Sequence, residues 1–373
     1  MSGFLSQHIS VRDFGAKADF VSDDTAPIQA AIDTCRALGR APGGKRAVYL
    51  PGGDYLVGPL ATYHNVTLVG DGTGNTRVFS RDDGQTLLEI ADITENATSV
   101  HVRGISFFAN GHAGTGLRFA GRDADARVID VRIEDCQFSL FERGVVLRLC
   151  NNVWLEQVHA ADCGTGFEID TSSDVKANHC FCDSGGGWGF LVSDDGLHGA
   201  SGEGVYLMGC TTNNQTGGLR VVNQHWGHAV GCSFTTCRGN AVELDGAGSW
   251  RIAQGEVAAT VDTGRGIVLS AASVKCIVEG NYIALNNGGL LVHGTDHIVA
   301  NNLLDAGIGD AADIELAGLA CKINGNKCLS TVNADSIREV DAANFNYIVA
   351  NMVQGTITKI GGGSVISAEQ FYY

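Results

Sequence analysis

Proline is scarce in this chain, four in 373 residues, and positive charge is outweighed, 25 Lys and Arg against 41 Asp and Glu. A net charge of -16 without basic clusters argues against nucleic acid or an anionic membrane as the main partner. It leaves acidic sugars open, because a few local arginines suffice for those. No apolar run approaches the roughly 20 residues that cross a bilayer. The opening MSGFLSQHIS lacks the basic and apolar regions of a secretory signal. Among the twelve cysteines there is no CxxC pair, and Cys180-Phe-Cys182 alone is poor support for zinc. The expectation is a soluble chain made in a reducing cytosol, with buried thiols as small apolar fillers and no metal centre.

Glycine is plentiful, at 51 residues, and a short phrase recurs. Ile105, Cys136, Val158, Cys180, Cys210, Cys232, Gly255, Asn281, Asn302, Asn326 and Asn351 fall into one register, mostly 21 to 26 residues apart. A second apolar strand follows in each unit, such as Gly144-Val-Val-Leu-Arg-Leu and Gly166-Phe-Glu-Ile-Asp. Within a unit the period is two, with β-branched and aromatic residues between Gly, Asn and Asp, and no unit carries a helical stripe. These features predict an all-β parallel β-helix of about 11 rungs. Glycine suits its tight corners, and proline would remove ladder donors. The later asparagines read as a hydrogen-bonded turn ladder. One domain is expected over 1–373: an entry strand and capping helix (1–45), rungs (46–353) and a closing segment (354–373).

The entry segment is the most specific local motif. Asp23, Asp24 and Thr25 are capping candidates, Pro27 fits a first turn, and Ile28, Ala31, Ile32 and Cys35 follow at helical spacing. The run from Val11, VRDFGA with DDTAPIQAAI, then VYLPGGDYLV and VTLVGDG, resembles the start of the pectate-lyase-like right-handed β-helix superfamily, especially bacteriophage tailspikes and capsule depolymerases. That resemblance implies a right-handed, single-stranded β-helix, a polysaccharide partner, a homotrimer, and a virion-tail or extracellular location after cytoplasmic synthesis. The full Asn-x-Asp, Asp-Asp, Gly-His-Gly and Arg-x-Lys set of polygalacturonases does not appear, nor does the Asp-Pro-His string of alginate epimerases. Chemistry must therefore be argued from the outward-facing residues.

Counting along the second strand gives outward pairs Val146/Arg148, Glu168/Asp170, Leu191/Ser193, Arg220/Val222 and Glu243/Asp245. Residues at i and i+2 on one strand face are about 6.7 Å apart, near the carboxyl separation of inverting glycosidases. Glu168 as general acid and Asp170 as general base is the first assignment, with Arg148 one rung from Asp170 and apolar Val146 and Leu191 beside Glu168. Glu243 and Asp245 form a second pair next to Arg220, with Asp245 the freer group. The insertion SDDGLHGASGEG lies between the pairs, and its Asp194, Asp195 and Glu203 are a weak Ca²⁺ candidate. Trp188 and Trp226 flank that region as possible sugar platforms or packing groups. The expected function is a polysaccharide depolymerase of the glycoside hydrolase type. A lyase acting on a uronate would instead draw on Lys176, His179, Tyr206 and Arg220. A third alternative is a polysaccharide-binding tail fibre without turnover.

Overall fold

The computed structural model describes residues 8–39, 47–196, 201–258, 264–305, 311–329, 335–340, 344–359, 362–366 and 371–372. They form two compact units, Met1–Gly186 with Asp195–Gly202, and Gly187–Asp194 with Glu203–Tyr373.

In the first unit each turn of chain lays down three short strands, and like strands stack in parallel. The first sheet includes Ala97–Arg103, Val128–Glu134 and Cys150–Glu156; the second includes Ser106–Phe108, Gln137–Ser139 and His159–Ala161. The third includes Thr115–Ala120, Arg143–Arg148 and Thr165–Asp170. Register is kept residue for residue, Val131 lying between Val100 and Val153. This is a parallel β-helix. Alternation turns Leu117, Val145 and Phe167 inward, in register and all fully buried. Complete burial of each such side chain contributes about 1.5–3 kcal/mol.

A single residue makes the corner between first and second sheets. Asp135, Gln157 and His179 occupy it with φ of 47°, 53° and 50°. That left-handed turn aims the next side chain inward, which places Cys136, Val158 and Cys180 in the core. The Cys136 thiol donates to the Val102 carbonyl at 3.7 Å, and burial pushes its pKa up to about 12. All twelve cysteines are buried free thiols.

The expected helix runs Thr25–Gly39 and packs on the entry strands His8–Ser10, Ala47–Leu50 and Leu60–Thr62. Ile28, Ala31, Ile32 and Cys35 face inward and are buried. Capping is split between the two aspartates. Asp23 accepts from the Thr25 amide at 3.0 Å, while the buried Asp24 carboxylate accepts from the Lys17 and Ala18 amides at 2.6 and 2.8 Å. Asp24 therefore ties the helix to the preceding turn.

The second unit repeats the three-sheet pattern. Its third sheet includes Trp188–Ser193, Gly217–Val222 and Val242–Asp245; its first sheet includes Glu203–Met208, His225–Val230 and Gly248–Ala253. At the corner, Asn281, Asn302, Asn326 and Asn351 form the expected ladder, each amide donating to the next side-chain oxygen at 3.0 Å. Gly227 has no room for a side chain. A Cβ there would lie 2.4 Å from the buried Trp250 ring.

Candidate functional site

On strand Thr165–Asp170 of the first unit, Phe167 and Ile169 are buried, leaving Glu168 and Asp170 on the outer face. Glu168 is in register with Val146, which was expected to face outward but is only 5% exposed. The other register neighbour of Val146, Arg118, is a long side chain of the kind that lays its stem over an apolar group. Burial is the main cause that raises the Glu168 pKa above the ordinary carboxyl value, opposed by Arg143 at 3.8 Å and reinforced by Asp170. Glu168 is therefore the carboxyl suited to carry a proton.

Asp170 has different surroundings. Its carboxylate is 3.2 Å from the Arg148 guanidinium, which reaches Asp195 at 2.6 Å with another nitrogen. The Thr171 hydroxyl lies 3.1 Å from Asp170 and 3.2 Å from Asp195. Asp195 comes from the central insertion, so the loop supplies a third carboxylate to this strand end. Counting along strands could not find that contact, because it depends on the path of the loop. Residues 197–200 of the insertion lie outside the described residues.

The Ca²⁺ candidate fares poorly in this setting. Asp195 is engaged by Arg148 and Thr171, and among the described residues no three His, Cys, Asp or Glu side chains converge as a metal cage.

In the second unit Arg220 spans the other pair, at 3.4 Å from Glu243 and 3.7 Å from Asp245. Asn240 also donates to Glu243 at 2.7 Å. Asp245 is the more exposed carboxylate, yet Arg220 reaches both, so the pair forms an ion-paired ladder. Leu191 lies opposite Arg220 and Ser193 opposite Val222.

The tryptophans do not flank one groove. Trp188 is on the third sheet, where a Cβ at Gly217 would lie 2.1 Å from its ring and the Arg220 guanidinium is 5.8 Å away. It packs against the next strand. Trp226 is on the first sheet and 61% exposed.

The lyase set is divided likewise. Lys176 is on the first sheet of the first unit, 2.6 Å from Asp174 and 4.6 Å from the Trp154 ring centre. His179 sits at the corner, exposed and 3.6 Å from Glu156. In the second unit Tyr206 is on the first sheet and Arg220 on the third, so these two do not share a face. The physical reason is that each turn has three faces, whereas alternation distinguishes only in from out. Tyr206 instead adjoins His228, their ring centres 4.6 Å apart, and Arg251 follows in register. Counting the first-sheet strands outward, as was done for the second strand of each repeat, would have found His228 and Arg251.

A family described as Rhamnogalacturonase A/epimerase, pectate lyase-like, matches residues 8–243. The chain belongs to this family. It is 49% identical over 85 residues to mannuronan C5-epimerase AlgE1 of Azotobacter vinelandii, a match covering 21% of the chain and 6% of that protein. It is 41% identical over 105 residues to alginate lyase 7 of the same organism, covering 26% of the chain and 12% of the lyase. The chain thus spans a small fraction of these relatives. Among solved structures, the A-module of A. vinelandii mannuronan C-5 epimerase AlgE6 superposes with TM-score 0.67 at 20% identity, covering 98% of the chain and 99% of the module. Tailspike protein 3 of bacteriophage CBA120 gives 0.59 at 13%, covering 99% of the chain and 59% of the tailspike. At these identities the superpositions establish the parallel β-helix alone. No helix among the described residues is long and apolar enough to cross a membrane.

Proposed function

We propose that this protein is a polysaccharide depolymerase that hydrolyses glycosidic bonds of an acidic or bacterial surface polysaccharide at the Glu168–Asp170 face. The carrying observation is the contrast between two carboxyls on one strand: Glu168 is raised by burial, while Asp170 is held by Arg148. Two carboxyls in distinct environments can divide acid and base roles. Glu168 gives its proton to the glycosidic oxygen as the bond to the anomeric carbon breaks. Asp170 takes a proton from the water that forms the new carbon–oxygen bond. Asp195 and Thr171 would hold that water, and Arg143 offers charge to an acidic sugar. The relatives named for mannuronan and alginate support a polysaccharide ligand. One structural neighbour is named as a bacteriophage tailspike, which supports a virion-tail setting, and the homotrimer that the entry-segment resemblance implies is carried as part of this proposal.

The test incubates the intact chain with capsular, exopolysaccharide and uronate polymers, following reducing ends together with the ultraviolet absorbance of unsaturated uronates. Reducing ends without absorbance, lost in Glu168→Gln and Asp170→Asn, support hydrolysis. Matching rises in both signals would replace hydrolysis by elimination. Binding without either signal would make the protein a non-catalytic fibre. Light scattering on the same sample tests the trimer.

A further inference from the structure

The first sheet of the second unit carries a face that hydrolysis at Glu168 does not use. Tyr206, His228 and Arg251 stand directly opposite one another on three adjacent strands, about 4.8 Å apart. Two residues before His228, Trp226 is 61% exposed with φ 59°. A left-handed backbone in a bulky residue is strained. Gly204 and Ser249 take the corresponding positions on the flanking strands, with φ of 73° and 56°. The turn thus accepts small residues, and the exposed indole contributes little packing. Burial, then the charge of Arg251, pushes the His228 pKa down, so its imidazole is neutral at pH 7 and can exchange hydrogen bonds with hydroxyls. Arg251 is half exposed and ion-paired with Glu279, and a guanidinium has donors beyond one such pair.

We propose that Tyr206, Trp226, His228 and Arg251 form a binding site for a carboxylate-bearing glycan, separate from the carboxylate site of the first unit. A pyranose ring stacks on the indole, the sugar carboxylate reaches Arg251, and ring hydroxyls meet Tyr206 and His228. The inference rests on a polysaccharide being the ligand but does not need cleavage.

Titration of the intact chain with oligomannuronate and with dextran of matched length, followed by tryptophan fluorescence and calorimetry, tests it. The expected result is tighter binding of oligomannuronate, an affinity loss of tenfold or more in Trp226→Ala and in Arg251→Ala, and partial retention in Trp226→Phe. Circular dichroism shows that each variant is folded. Binding that persists in wild-type protein without any cleavage would sink the hydrolase reading and leave this site standing. Wild-type affinity in both alanine variants or equal affinity for dextran would overturn the proposal. So would dissociation of an oligomer by Trp226→Ala, which would make the face a contact between copies.

Discussion

The Asn326 side-chain oxygen accepts from both the backbone amide and the side-chain amide of Asn302, each at 3.0 Å, in a site where both residues are buried. One acceptor thus satisfies two donors of the neighbouring turn, while its own amide donates to the Val299 carbonyl and to Asn351.

Replacing Asn326 with alanine is expected to strand these groups without water. Each buried orphan costs about 1–3 kcal/mol, so a loss of about 3 kcal/mol or more should appear in urea unfolding. A loss below about 1 kcal/mol would show that the ladder relaxes around the gap.

Glu168 links catalysis to pH. Its folded pKa lies above the ordinary value of 4.5, so from there up to the raised pKa the folded protein binds more protons than the unfolded chain. Stability at this group is unaffected at lower pH and falls as pH rises through that window. Glu168→Gln should therefore raise the melting temperature near neutrality and remove this fall. The same change should reduce turnover by about 10²–10⁴-fold and abolish the alkaline limb of the rate profile. A variant that melts earlier than wild type at neutral pH would contradict the burial argument.

Gly227→Ala drives a methyl into the Trp250 ring. The expected cost is about 1–3 kcal/mol of overpacking, partly relieved in the double variant with Trp250→Phe. Additive losses in calorimetry would deny the contact.

The thiols should be silent. Burial pushes Cys150, Cys163 and Cys237 up to about 12 and Cys321 up to about 11. An aromatic disulfide reagent at pH 8 should label none of the twelve in folded protein and all of them in guanidinium. Rapid labelling of any cysteine in the folded state would reveal local opening.

The fold was legible because corner chemistry repeats in the sequence: Cys136 and Cys180, then Asn281 through Asn351, mark the inward residue after each left-handed turn. Glu168 and Asp170 were legible for the related reason that alternation separates inner from outer positions. Three sheets defeat the same rule. Nothing in a period of two says that Tyr206 and Arg220 occupy different faces. Asp195 reaches Arg148 through a loop, and Asp24 turns its side chain away from the helix it precedes. Both outcomes depend on where the backbone folds back, which strand patterns do not encode.

Each internal asparagine of the ladder presents the same donor and acceptor to the turn before and the turn after. A duplicated turn inserted between two of them would therefore meet matching partners on both sides. Adding one residue within a strand would instead send every later side chain on it to the opposite face. Whole-turn duplication is thus the quiet route by which such a gene can lengthen or shorten its product, leaving distant surface chemistry untouched.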